Sequence, residues 1–152
     1  PVIYSADDAH RFVFTADEEM TAVPAYTSTL GAYLYEPSAA VLKAGAFKSL
    51  AQRFDVKKLH PNSHLYTSDT LHADFPGRAF SVERTCGFGK RELKAFCADT
   101  AQANLTVRNF PATVADLRKR LKLREGGSDY WFATTLADES HCLIACRKVS
   151  KN

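Results

Sequence analysis

The sequence predicts an α+β protein in which a small sheet carries helices, and three observations predict it. Stretches with period-two alternation of apolar and polar residues are interleaved with stretches of apolar i, i+3, i+4 spacing. Turn-forming groups separate them at short intervals, among them Glu36-Pro37, Pro61-Asn62, Phe75-Pro76-Gly77 and Gly126-Gly127. Apolar residues make up 45% and charged residues 24% of the 152 positions, the balance of a packed domain rather than a disordered chain.

The elements follow in order. Residues 10–15 alternate as a strand, and residues 16–20 form a short helix with its carboxylates near the positive N-terminal end. Tyr33-Leu34-Tyr35 is a second strand element, stopped by Glu36-Pro37. Ser38 then offers an N-cap to one long helix over residues 39–54, whose Val41, Leu42, Phe47, Leu50 and Phe54 wrap a wide buried arc. Leu65-Tyr66-Thr67 is a short strand. Phe75-Pro76-Gly77 marks the best domain boundary, giving a first region over residues 1–77 and a second over 78–152.

Beyond that boundary the pattern is cleaner. Residues 79–85 form a strand with Phe80 and Val82 on one face and Ser81 and Glu83 on the other. Residues 90–99 form a helix through Leu93, Phe96 and Cys97. Leu105 and Val107 mark a strand, and Thr113-Val114-Ala115-Asp116 starts a helix with Val114, Leu117 and Leu121 as its apolar stripe. Residues 130–136 and 141–148 form a closing hairpin around Ala137-Asp138-Glu139-Ser140. The order is β-α-β-α-β-β, with both helices on one face, the other face left open, and Leu93, Phe96, Leu105, Val107, Val114, Leu117 and Leu121 in the core. Several nucleic-acid-binding folds share this order, an analogy of fold alone.

Other signals exclude function classes. No apolar run approaches the ~20 residues of a membrane-spanning helix. Asp7, Asp8, Asp17, Glu18 and Glu19 stand where a secretory signal would need basic and apolar residues, and Pro1 rather than Met opens the chain, as in a piece excised from a longer protein. The four cysteines form no metal-ligand pattern, and Cys142 and Cys146 lie too far apart along a strand to bridge each other. Free thiols and the absence of an export signal imply a cytoplasmic setting, with the thiols as buried small hydrophobes.

Charge is unevenly spread. Residues 1–86 hold 8 basic and 10 acidic side chains, whereas residues 87–152 hold 12 basic and 7 acidic. The excess concentrates at Arg118, Lys119, Arg120, Lys122 and Arg124, near one helix end, and at Lys90, Arg91 and Lys94, near the start of the other helix. Cations suit a helix C-terminus, so solvation and the macrodipole account for the first group. At a helix N-terminus the dipole disfavours them, and phosphate contact supplies a separate reason. Phosphate binding and plain solvation both stay open for these eight candidate RNA-binding residues, of which Arg118, Lys119 and Arg120 are all expected to face solvent. Cys86-Gly87-Phe88-Gly89-Lys90 has the wrong spacing for a phosphate-binding P-loop, and Pro61 argues against a helical metal pair at His60 and His64. Neither a nucleophile elbow nor a catalytic constellation is present.

Long runs resemble a family of bacterial class I S-adenosylmethionine-dependent methyltransferases. They are residues 33–47, beginning Tyr33-Leu34-Tyr35-Glu36-Pro37-Ser38, residues 59–68, beginning Leu59-His60-Pro61-Asn62-Ser63-His64, and Phe75-Pro76-Gly77-Arg78. Val107-Arg108-Asn109-Phe110-Pro111 and Leu117-Arg118-Lys119-Arg120-Leu121-Lys122-Leu123 resemble the THUMP-like domain that ends those proteins. The resemblance implies a small ferredoxin-like α+β region followed by a THUMP-like domain, both downstream of a Rossmann-type catalytic domain that would bind S-adenosylmethionine. THUMP domains proper capture RNA for RNA-modifying enzymes. The implied role is therefore non-catalytic target recognition, with RNA and the catalytic domain as partners; a docking or dimerisation module is the alternative. The glycine-rich cofactor turn, the ribose-binding acid and an Asn-Pro-Pro-Tyr-like motif are all missing, so no cofactor is expected to bind this chain alone.

Overall fold

A computed structural model describes residues 2–6 and 11–150. Fourteen elements run in the order β1 (Val2–Ala6), β2 (Arg11–Thr15), α1 (Ala16–Thr21), β3 (Tyr33–Pro37), α2 (Ala39–Ala44), α3 (Phe47–Phe54), β4 (Lys57–Lys58), β5 (Tyr66–Ser68), β6 (Gly77–Cys86), α4 (Lys90–Cys97), β7 (Asn104–Arg108), α5 (Val114–Leu121), β8 (Asp129–Thr135) and β9 (His141–Lys148). β1 and β2 pair with each other, and His10, expected to open the second of these strands, lies outside the described residues. The other seven strands form one mixed sheet in the order β4-β5-β3-β6-β9-β8-β7. That sheet runs without interruption from the first region into the second, because β6 pairs with β3 on one side and β9 on the other.

Register assigns the faces. Tyr35 opposite Ala79 and Trp131 opposite Ala145 lie on the helix-bearing face. There, α2 and α3 contribute Val41, Leu50 and Ala51 to a core with Tyr35, Tyr66 and Phe75. Leu93 and Phe96 of α4 and Leu117 and Leu121 of α5 pack with Leu105, Trp131, Ala133 and Leu143 in a second core. Leu34 opposite Phe80 and Phe132 opposite Ile144 lie on the other face. Leu59 and Leu65 cover part of it and complete a third core shared by both regions. The face expected to be open is therefore open only in part.

The expected helix over residues 39–54 is two helices. Gly45 takes φ 76° and its N–H reaches back to Val41 and Leu42, a left-handed stop that a side chain would strain. Ser38 does cap α2 through Val41 N–H at 3.3 Å. α3 lacks a cap of its own, and Glu19 of α1 supplies one by accepting from the N–H groups of Lys48 and Ser49 at 2.8–3.1 Å. Gly77 permits the β3–β6 approach, since a Cβ there would collide with the Glu36 carbonyl oxygen.

Two expected core positions differ. Val114, first residue of α5, is 36% exposed, because it precedes the turn whose side chains face the sheet, and Val107 is only half-buried. In β6 the register slips between Val82 and Arg84. This bulge re-aims Arg84 to the helix-bearing face, where its guanidinium lies 4.1 Å from the Phe96 ring centroid and donates to the Phe96 carbonyl at 3.0 Å. No described helix is long and apolar enough to cross a membrane.

Candidate nucleic-acid interface

The β6–α4–β7 and β7–α5–β8 segments are crossovers between parallel strands, since β7 pairs parallel with β8 and β6 and β8 both run antiparallel to β9. Both helix N-termini therefore lie at the end of the sheet where β6 and β7 finish. Lys90, Arg91 and Lys94 are exposed there on α4, with Lys94 one turn beyond Lys90. Arg120 of α5 reaches the same neighbourhood, its guanidinium 5.7 Å from the centroid of Phe88, which precedes α4 by two residues. Phe88 in turn packs on Phe110 at 4.8 Å. Four of the predicted cations thus converge.

The others do not all join them. Lys122 and Arg124 are exposed at the opposite end, where the Arg124 backbone bridges to Gln102 just before the start of β7. Lys119 is exposed on α5. Arg118 does not face solvent as expected. Its side chain is 16% exposed, donates to the carbonyls of Ala103 at 3.1 Å and Leu123 at 3.4 Å, and lies 3.6 Å from Glu125. It ties the end of α5 to the chain entering β7. Among the described residues, none of the remaining seven cations pairs with a carboxylate.

The β6-to-α4 turn also shows what it does not bind. Glu92 accepts from the Gly87 N–H at 2.8 Å, and a Cβ on Gly87 or Gly89 would meet the same carboxylate at 3.0–3.1 Å. The Glu92 carboxylate thus already takes the backbone donor that a phosphate would need at this glycine pair. Among the described residues no three His, Cys, Asp or Glu side chains gather as metal ligands. His60 accepts at Nδ1 from Asn62 N–H at 2.9 Å and meets Glu139 through Nε2 at 2.6 Å, while His64 stacks on Phe47 at 3.6 Å and burial holds its pKa down to about 4. The thiols of Cys142 and Cys146 are pushed up by burial, the first to about 11, so neither is a ready nucleophile.

Two polar clusters escaped the sequence reading. Glu36, 9% exposed, binds Arg78 through Nε at 3.0 Å and Nη2 at 2.5 Å, and Arg108 through Nη2 at 3.2 Å. Asn109, at φ 52°, donates to Ser63 Oγ at 3.0 Å, Ser63 donates to the Thr135 carbonyl, and Thr135 donates to the Asn109 carbonyl. All of these residues except Thr135 lie inside the runs that carry the family resemblance, but their partners are 26 to 72 residues apart. No local pattern announces such meetings.

Residues 33–76 match the family model of a ferredoxin-like domain, and residues 77–148 match that of a THUMP-like domain. Residues 33–148 are a ferredoxin-like domain followed by a THUMP-like domain. It is also similar to the crystal structure of a proposed methyltransferase from Porphyromonas gingivalis W83, at 40% identity and a TM-score of 0.90, over 98% of this chain and 38% of that one. No curated protein matches it significantly. The ferredoxin-like domain supplies β3, β5 and the segment that covers the third core, and the THUMP-like domain supplies the two basic helices.

Proposed function

We propose that the chain is the non-catalytic target-recognition part of an S-adenosylmethionine-dependent methyltransferase, and that its THUMP-like domain holds RNA by phosphate contacts along α4 and α5. One observation carries the reading: Lys90 and Arg91 in the first turn of α4 and Lys94 one turn beyond Lys90 are exposed, with no carboxylate partner among the described residues, and Arg120 lies against Phe88 just before that helix. Lys90 and Arg91 stand at the positive end of α4, where cations cost stability, and a phosphate gripped by their side chains offsets that cost. The kinship with THUMP domains and the likeness to a proposed methyltransferase support RNA over protein as the partner. Arg118 leaves the set of contact residues and becomes a positioning residue for α5.

The division of labour follows from chemistry. Lysine and arginine side chains on helices grip the sugar–phosphate backbone and set its register without reading sequence. The methyl donor and the reacting groups would belong to a catalytic domain on the same protein. Filter binding of structured and single-stranded RNA tests the reading, comparing wild type with Lys119→Glu/Arg120→Glu and with Lys90→Glu/Arg91→Glu/Lys94→Glu. Both variants are expected to bind at least about tenfold more weakly and to keep the fold. Wild-type binding no tighter than a neutral control protein at low salt would transfer the role to protein docking.

A further inference from the structure

The face of the sheet away from α4 and α5 carries a second set of cations, organised differently. Arg78 of β6 and Arg108 of β7 bind opposite oxygens of the Glu36 carboxylate, yet their own side chains are 40% and 44% exposed. β3 and β7 are four strand positions apart, about 19 Å in a flat sheet and beyond the combined reach of a glutamate and an arginine. The ion pair therefore requires a curled sheet, cupped on this side, which the β6 bulge favours. The Arg78 guanidinium lies 5.2 Å from the Phe80 ring centroid and 5.8 Å from that of half-buried Tyr130. Beside it opens a cavity of about 480 Å³ lined by Gly77, Arg78, Ala79, Lys148, Val149 and Ser150, with two cations and no carboxylate in its wall.

We propose that this cupped face, at Arg78, Arg108, Tyr130 and Lys148, is a second RNA contact that takes a single-stranded segment. The inference rests on RNA being the partner of the THUMP-like domain. Two guanidinium groups share one carboxylate, so the trio keeps a net positive charge, and Lys148 adds another. Each arginine is already fixed by Glu36 and by its neighbours: Arg108 also donates to the Val107 carbonyl at 3.0 Å. That fixing lowers the ordering cost of a ligand contact, and each guanidinium has more N–H donors than these partners take, which leaves donors for a phosphate. Arginine on an aromatic ring offers a planar surface for a base, which is how single strands are held without sequence reading. A cup lined by side chains admits one strand with its bases splayed, whereas the straight rows of lysine and arginine on α4 and α5 suit backbone of any form.

The test is an NMR titration of the 152-residue chain with a single-stranded tetraribonucleotide, following the Nε–H signals of Arg78 and Arg108, the Tyr130 ring and the amides of α4 and α5. The Arg78, Arg108 and Tyr130 signals are expected to shift saturably. Tyr130→Leu, which keeps a buried apolar body, is expected to weaken the tetranucleotide about 5- to 150-fold, the range of one lost base stack. Lys148→Glu, an exposed change, is expected to weaken it about fivefold or more and to leave the fold unchanged. Shifts confined to α4 and α5 would overturn this inference and leave the helical track standing. Silence at every signal would overturn both. Shifts on the cupped face that an acidic peptide produces and the tetranucleotide does not would assign the site to protein carboxylates and overturn the inference as well.

Discussion

The two domains share one sheet but use their polar side chains in opposite ways. In the ferredoxin-like domain several of them point inward and find partners there, although Ser49 Oγ and His64 Nδ1 are buried without one. Lys58 is fully buried and donates to the His60 and Pro61 carbonyls at 2.7 and 2.9 Å; Tyr66 donates to the Phe47 carbonyl, and Thr67 to that of Tyr33. These bonds hold residues 57–68 as a strap against the sheet, and buried groups so satisfied serve architecture. In the THUMP-like domain the helices bury leucines and a phenylalanine and leave their charges to water. A charge count therefore does not locate a binding surface; the number of charges left without a partner does. Arg118 makes the point from the other side, being basic, inside the predicted patch, and spoken for.

The comparison can be broken most forcefully at the packing that both domains need. Leu117 is 1% exposed between α5 and the sheet, so Leu117→Ala is expected to cost about 2–5 kcal/mol in chemical denaturation. Val114→Ala, one turn earlier and exposed, is expected to stay below about 0.5 kcal/mol. Equal losses at the two positions would mean the register of α5 is wrong.

A smaller effect separates held from free cations. Arg118→Glu leaves the Ala103 and Leu123 carbonyls without their donor and sets the introduced carboxylate beside that of Glu125. A loss of about 1–3 kcal/mol is expected. Lys119→Glu, at the exposed neighbouring position, should change stability by no more than about 0.5 kcal/mol. Urea midpoints of the two variants measure the contrast, and similar values would erase the distinction between positioning and contact residues.

A pH-dependent effect concerns the buried lysine. Burial pulls Lys58 down from its ordinary 10.5 to about 7, with Glu19 acting in the opposite direction. Between those values the unfolded chain holds a proton that the folded chain lacks, so stability rises with pH through this window and the contribution is lost below about 7. Stability measured from about pH 7 to 9 is therefore expected to climb in the wild type, by no more than about 1.4 kcal/mol per pH unit, relative to Lys58→Met. Parallel curves would show that the ammonium stays charged beside the His60 and Pro61 carbonyls.

Much of the architecture was legible in the sequence because its signals are local. Ser38 and Thr113 cap the helices they announce, and the turn-rich Ala137-Asp138-Glu139-Ser140 between two strand-forming runs gives the β8–β9 hairpin. The break at Gly45 was hidden by an apolar pattern continuous on both sides of it, although glycine itself was the available signal. β4, two residues long, carries too little pattern to be seen. The candidate interface was legible as charge but not as geometry. Exposure of Lys90, Arg91 and Lys94 follows from their spacing against Leu93 and Phe96, whereas the capture of Arg118 depends on carbonyls that the tertiary fold brings up. The Glu36–Arg78–Arg108 trio joins three strands through sheet curvature, a property that no window of sequence contains.

The central claim is that partnerless cations on α4 and α5 hold RNA through its phosphates, and the salt dependence of binding tests it most directly. For single-stranded RNA the logarithm of the association constant should fall linearly with the logarithm of salt concentration, with a slope near about −0.7 for each phosphate neutralised. Lys119→Glu/Arg120→Glu and Lys90→Glu/Arg91→Glu/Lys94→Glu should each flatten that slope while weakening binding alike for all sequences. A wild-type slope near zero, or slopes unchanged in both variants, would contradict the account.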